Sequence, residues 1–425
     1  MNYKELQHVL EKELIVAVGC TEPIAIAYAA AVAAEHSTAP IDTMELSCSR
    51  NVIKNAMAVA IPGRQHTGIA FVGALGSIVK GSQKKLSLIE AATENQEKEA
   101  VVMCEAGKVK VTEANTPKVL VIEVTIETKN EKVVVLIEDD HTNITSIKVN
   151  DVEQFKEQTT EESTEDCKSD DSFTLDEIVD FCLNCPLSSL DLVKKSIEMN
   201  MAVANHGLKN AYGMQVGKLI KEQVEEGILS DDLASRAMSY AAAGSDARMG
   251  GATLPVMANS GSGNQGIAVT LPVVAAAEKL GADEEKTIRA VAISHLIAIF
   301  VKYQFGRLSA LCGVTIAGAS SAAAITYLLK GTKEQMYFAI QNTLGNVTGM
   351  LCDGAKAGCA MKVSTCSGAA VQAALMAKNN ICIPGTNGFV ENDVNNTIRN
   401  FSQIGNEGSP TLDSIVLKQM LNKKN

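Results

Sequence analysis

Apolar positions at helical spacing open the chain. Leu6, Val9, Leu10, Leu14 and Val18 predict a helix over 4–18, interrupted by Gly19-Cys20. Thr21 as N-cap, with Glu22 and Pro23 in the first turn, predicts an Ala-rich helix to about Ala34. Strand-like alternation then appears at 41–47, a helix at 52–61 stopped by Pro62-Gly63, and a second helix at 86–103. Four strand-like runs follow at 109–113, 119–127, 132–137 and 144–149, with turn signals at Lys129-Asn130 and Asp139-Asp140. The stretch 42–150 therefore reads as a small α/β sandwich domain. Residues 151–173 are dominated by Asp, Glu, Lys, Ser and Thr and read as an acidic linker, too poor in apolar surface to offset ordering entropy. Beyond it the pattern predicts helices at 175–184, 188–226 (broken near 205–207), 231–243, 266–280, 284–301, 309–329, 333–345, 364–378 and 411–422. No strand pattern follows the linker. The fold class expected is α+β: a predominantly helical domain over 174–425, and a smaller α/β sandwich near the N-terminus preceded by helices in 1–41 that carry Cys20.

Composition narrows the function. Of 425 residues, 46% are hydrophobic but only 4% aromatic, with no Trp, so the core is built from small and aliphatic side chains that suit closely packed helices. A formal net charge of −11 argues against nucleic acid and against anionic membrane surfaces. The start at Met1 has no basic n-region, and the apolar stretch 290–301 is broken by Ser294 and His295 and is short for a bilayer. The expectation is a cytoplasmic protein with no membrane partner. Eleven cysteines, an odd number, point to a reducing compartment and away from a closed disulfide framework. Whether the chain forms a homo-oligomer is left open.

The chemistry-bearing residues are cysteines in glycine-rich, nearly uncharged settings: Cys312 in Leu-Cys-Gly-Val, Cys352 in Leu-Cys-Asp-Gly and Cys359 in Gly-Cys-Ala. Three thiolates can hold three corners of a cubane iron–sulfur cluster and leave a fourth iron open as a Lewis acid. The spacings are not those of structural zinc sites, and buried free cysteines are the plain alternative. Cys366 follows Cys359 by the same seven residues that separate Cys359 from Cys352, so spacing alone does not choose between Cys366 and Cys312. Cys182 and Cys185 read as core cysteines at a helix end. Residues 259–266 formally contain Gly-x-Gly-x-x-Gly but lack the flanking strands of a dinucleotide fold. They read better as a bare helix N-terminus, where Asn259, Ser260, Gly261, Ser262, Gly263 and Asn264 hold a small carboxylate; a plain helix–helix turn is the alternative. Cys20 precedes a helix N-terminus, which favours a thiolate. His295 lies in an apolar helix, with Lys302 about two turns on and Arg307 beyond; a satisfied core histidine is its plain alternative.

Taken together, Gly19-Cys20-Thr21-Glu22-Pro23, the run 259–266, Ser294-His295-Leu296, the run 306–313 and the run 352–359 resemble the L-cysteine desulfidase family. That family is related to the iron–sulfur L-serine dehydratases through their α-chain-like catalytic domain. The resemblance covers essentially the whole chain. It implies a [4Fe-4S] cluster on Cys312, Cys352 and Cys359, and Cys20 as the base that removes the α-proton, with His295 next in line. It implies a PLP-independent α,β-elimination of L-cysteine to pyruvate, ammonia and hydrogen sulfide. It also implies that the N-terminal helices pack on the catalytic domain. The stretch 419–425 carries no cysteine, which fits the desulfidase branch better than the single-chain serine dehydratases. L-serine or threonine dehydration is the alternative within the enzymes, and a cluster-based redox or metal sensor the alternative outside them.

Overall fold

A computed structural model describes residues 3–64, 66–118, 120–156, 173–305 and 310–422. The chain forms two compact units. A helical unit contains Met1–Val18, Asp166–Cys352 and Ala357–Asp413, and a sheet unit contains Gly19–Glu165, Asp353–Lys356 and Ser414–Asn425. The expected class, a predominantly helical domain beside a smaller α/β domain, is the observed one.

In the sheet unit six strands lie in the order Val109–Glu113, Thr43–Cys48, Val121–Glu127, Lys132–Glu138, Ile144–Val149, Val152–Lys156. The first two run parallel and the remaining neighbours antiparallel. Side chains alternate across a strand, so Met44, Leu46 and Cys48, Ile122, Val124 and Ile126, and Val133, Val135 and Ile137 all reach one buried face. Thr21–Glu35 and Ile69–Val79 share that core. The first of these carries Ala, Ile, Val and Tyr all round its circumference, and residues 23–34 are buried without a break. Such a helix has no solvent face. It therefore belongs to the sheet unit, not to a separate N-terminal segment over 1–41. Gly76 lets the two helices close: a Cβ there would collide with the backbone of Ala27.

Several boundaries moved. The first helix ends at Glu13, and Leu14–Ala17 pairs antiparallel with Val256–Asn259 as a two-stranded sheet inside the helical unit. That strand corrects the expectation of helix alone after the linker. Val152–Lys156 is a strand, so the sheet reaches into the expected linker, and 157–172 lies outside the described residues. Ile69–Val79, an apolar helix without polar periodicity, had no signature in the pattern. The final helix, Val394–Leu421, starts well before 411, its first turns disguised by Asn and Gly.

In the helical unit, Leu233–Met249, Gly263–Leu280, Glu284–Phe305, Gly313–Leu328 and Cys359–Lys378 supply much of one large core. Glu284–Phe305 is long and apolar enough to cross a membrane by length and composition, longer than the 290–301 stretch suggested. Most of its apolar window is buried, as in a core helix.

Gly76→Ala is expected to destabilise the sheet unit by about 1–3 kcal/mol through overpacking. Gly408→Ala, on an open stretch of the last helix, is expected to add up to about 1 kcal/mol of helix stability. Thermal unfolding midpoints that move the same way in both proteins would refute the close helix contact.

Candidate active site

The helical unit brings the three expected cysteines together. Leu311 and Leu351 form an isolated antiparallel bridge. The Cys312 N–H donates to the Met350 carbonyl at 2.9 Å, and the Cys352 N–H to the Ala310 carbonyl at 2.6 Å. This backbone clasp sets Cys312 beside Cys352, close enough for the Cys352 thiol to act on the Cys312 pKa. Cys359 is near enough for its charge to act on Cys312. Cys312 is the N-cap of Gly313–Leu328, and Cys359 is the first residue of Cys359–Lys378. Two of the three sulfurs thus lie where unpaired backbone N–H groups and the helix dipole favour a thiolate. The hydrogen bond with Cys352, burial and the like charges of Cys352 and Cys359 nevertheless hold the Cys312 pKa well above the ordinary thiol value. Crowded thiols of this kind are relieved by a metal group that takes them as thiolates. Lys302 sits against the same cluster. Burial pulls its ammonium pKa down to about 8, opposed by the charges of Cys352 and Cys312.

Among the described residues, no three His, Cys, Asp or Glu side chains converge as they would around a single ion. A four-iron cubane is wider than one ion, and an all-cysteine donor set is the one it takes. The other cysteines stand apart from this chemistry. Cys366 is buried, pushed up to about 12 by burial, with its thiol 3.7 Å from the Met350 sulfur. Cys182 and Cys185 are buried at the end of Leu175–Asn184, where the Arg289 guanidinium donates to both of their carbonyls. Of the motif at 306–313, residues 306–309 with Arg307 lie outside the described residues.

The loop at 259–266 joins the Val256–Asn259 strand to the Gly263–Leu280 helix. The strand before it was not foreseen, but it pairs antiparallel in a two-stranded sheet, unlike the parallel unit of a dinucleotide fold. Ser260 (φ 47°) and Gly261 (φ 76°) make the turn in left-handed conformation. Ser262 caps the helix by accepting from the Gln265 N–H. Asn259 is the buried anchor. Its Nδ2 donates to His295 Nδ1 at 3.0 Å and to the His295 carbonyl at 3.2 Å, and its Oδ1 accepts from Gln265 Nε2 at 2.8 Å. Ser196 and Thr270 spend their hydroxyl hydrogens on the Val193 and Gly266 carbonyls, so each accepts from His295 Nε2–H, at 3.0 and 3.2 Å. The network assigns a neutral imidazole with its proton on Nε2. Burial agrees, pulling the His295 pKa down to about 3. His295 is fully buried with both ring nitrogens engaged, and the geometry gives it a positioning role toward Asn259.

Two residues of this site had no role assigned from the sequence, although Gln265 lies in the run 259–266 and Arg248 is one of the few charges near it. Gln265 Oε1 lies 3.0 Å from where a Cβ would stand on Gly313, so the loop reaches the residue next to Cys312. Arg248 is buried at the end of Leu233–Met249. Its Nη1 donates to Asn264 Oδ1 at 3.3 Å, and a Cβ on Gly263 would strike its guanidinium. A cation packed against a helix N-terminus is placed for an anion, because both carry positive potential. The neighbouring acid, Asp246, is turned away. It accepts from the N–H groups of Met214 and Gly217 at the start of the preceding helix, Val216–Glu225.

Cys20 belongs to the sheet unit. It is itself the N-cap of Thr21–Glu35, displacing Thr21 from that role, and its thiol makes no capping bond. The Sγ donates instead to Glu22 Oε2 at 3.1 Å.

Residues 83–418 match the serine dehydratase alpha chain family. Over nearly its whole length the chain is also similar to UPF0597 proteins. One from Clostridium perfringens is 40% identical over 98% of this chain and 97% of its own. Relatives from Photobacterium profundum and Bacteroides fragilis are each 38% identical, over 98% and 99% of this chain and 97% and 98% of theirs. With the cysteine trio, the loop at 259–266 and Arg248 all inside the matched stretch, the chain belongs to the serine dehydratase alpha chain family.

Proposed function

We propose that this protein is an iron–sulfur lyase acting as an L-cysteine desulfidase, with Cys312, Cys352 and Cys359 holding a [4Fe-4S] cluster. The observation that supports the reading is the backbone clasp that sets Cys312 beside Cys352, with Cys359, at the start of another helix, near enough for its charge to act on Cys312. When bound, such a cluster supplies an iron with an open position, a Lewis acid that makes a β-thiol or β-hydroxyl a better leaving group.

The chain's own residues do the rest. Arg248, the Gly263 end of the helix and the Ser262 hydroxyl hold the substrate carboxylate in a charge-assisted cradle, while the Ser260 hydroxyl donates to Asn259 Oδ1 and braces the loop. His295, neutral and buried, fixes Asn259 and so the loop. Lys302 offsets the negative charge of the thiolates. Cys20 takes the α-proton as the β-substituent leaves. The 2-aminoacrylate released tautomerises and hydrolyses to pyruvate and ammonia. The role of Cys20 rests on the likeness to the desulfidases, since the matched stretch begins after it. A second reading, dehydration of L-serine or L-threonine on the same residues, is favoured by the family match itself.

Protein reconstituted anaerobically with iron and sulfide is expected to turn brown and to form sulfide and pyruvate from L-cysteine. Pyruvate from L-serine with no sulfide from cysteine would move the assignment to the dehydratase reading. A stable cluster with no turnover of either would favour a sensor. Cys312→Ala, Cys352→Ala or Cys359→Ala should each abolish the visible cluster absorbance, whereas Cys366→Ala, Cys182→Ala and Cys185→Ala should keep it. A normal cluster in Cys352→Ala would sink the ligand set. Arg248→Lys keeps the charge but loses the planar fork, and a charge-assisted hydrogen bond contributes about 1.5–3 kcal/mol. Its KM for cysteine is expected to rise on the order of tenfold at unchanged cluster content; an unchanged KM would remove Arg248 from the cradle.

A further inference from the structure

We infer that Glu22 is the proton-accepting partner of Cys20. The inference rests on the reading of Cys20 as the α-proton base and adds the group through which that base is made competent. The sheet unit holds the pair in a defined geometry. Cys20 has extended backbone (φ −99°, ψ 132°) at the N-cap and is 7% exposed. An N-cap side chain ordinarily accepts from the first-turn N–H groups; here the thiol donates to Glu22 Oε2 at 3.1 Å. The other carboxylate oxygen, Oε1, accepts from Asn55 Nδ2 at 2.9 Å. Asn55 sits in the short Arg50–Ala56 helix. Thr21 Oγ1 lies 3.5 Å from Glu22 Oε2 and 3.2 Å from His141 Nε2.

The choice of partners is informative. A structural acid in a first helical turn is served by the helix dipole alone, or by a Lys or Arg. Among the described residues no Lys or Arg pairs with Glu22. Its oxygens are held by a neutral amide, the Thr21 hydroxyl and the thiol, so its orientation is fixed without a Lys or Arg. That is the pattern of an activated sulfur: a weakly acidic group, a base within hydrogen-bond reach, and a third group that orients the base.

The Cα–H bond of the substrate breaks and its electron pair forms the Cα=Cβ bond. The β-substituent leaves with the Cβ–S pair. The α-proton goes to Cys20 Sγ, and the proton already on Sγ passes to Glu22 Oε2. The pair begins with one proton and one negative charge, and ends as a thiol and a neutral carboxyl.

Glu22→Gln separates this role from a structural one. The amide keeps shape and the contact with Asn55, but it removes the negative charge that disfavours a thiolate and it has no site for the transferred proton. In the metal-free protein at fixed pH, alkylation of Cys20 by iodoacetamide, followed by peptide mass spectrometry, is expected to become severalfold faster. Reconstituted Glu22→Gln is expected to lose turnover by about 10²-fold or more, in the range of general-base contributions. Glu22→Asp should restore part of it. More thiolate with less turnover is the signature. Turnover within about twofold of the parent, or an unchanged alkylation rate, would overturn the pairing, since a general base contributes far more than that. Cys20→Ala, run alongside, tells the failures apart: normal turnover there removes the base itself, whereas loss in Cys20→Ala beside normal Glu22→Gln removes only Glu22.

Discussion

The side-chain amide of Asn259 is the constraint on which the helical unit's site depends. One amide is shared among three elements: the strand that carries it, the helix of His295 and the helix of Gln265. Each of its buried polar atoms has a defined partner, so the loop has one conformation available without leaving a polar group unpaired in the core, which costs about 1–3 kcal/mol. Asn200 extends the same logic, joining the Met257 backbone to Gly266 and Thr270. A turn containing a left-handed serine is strained on its own, and this ladder is what over-determines it.

Around that rigid loop the electrostatics are arranged with few charges. Two helix starts face thiols, a third faces the Arg248 guanidinium, and Lys302 lies among the cysteine charges. Positive potential therefore gathers where thiolates and a carboxylate are expected, although the chain as a whole is acidic. The acid nearest in sequence to Arg248 is consumed by backbone N–H groups, and burial holds its pKa up at about 6. The local positive potential thus comes from the placement of helix starts and two cations and not from net charge.

Much of this was legible before any coordinates. The strands 109–113 and 144–149 and the helix 175–184 agree with the structure residue for residue, because strand alternation and helical spacing are local signals. The cysteine trio was legible as candidate chemistry, but the clasp that sets Cys312 beside Cys352 was not: a two-residue bridge at Leu311 and Leu351 has no pattern of its own. The contacts of Arg248 and Gln265 were invisible for the same reason, since each acts on a residue from another element. Ile69–Val79 shows the complementary limit. A helix buried on all sides loses the polar face from which periodicity is read. The partnership of Cys20 with Glu22 lay in plain view two residues apart, yet a first-turn acid is so common that only the hydrogen bond distinguishes it.

The three glycines at 261, 263 and 266 reproduce the spacing of a nucleotide-binding fingerprint, and each is required for an unrelated reason. Gly261 turns the chain at positive φ. Gly263 leaves room for the guanidinium of Arg248, and Gly266 lets the helix approach the Met257 carbonyl, where a Cβ would collide. Tight turn, close approach and helix-to-strand packing are the same three demands that a pyrophosphate-binding loop makes of its glycines. The signature thus records a geometry, a strand turning sharply into a helix whose first peptide must stay bare. A chain can arrive at it with a guanidinium standing where a cofactor's phosphates would lie.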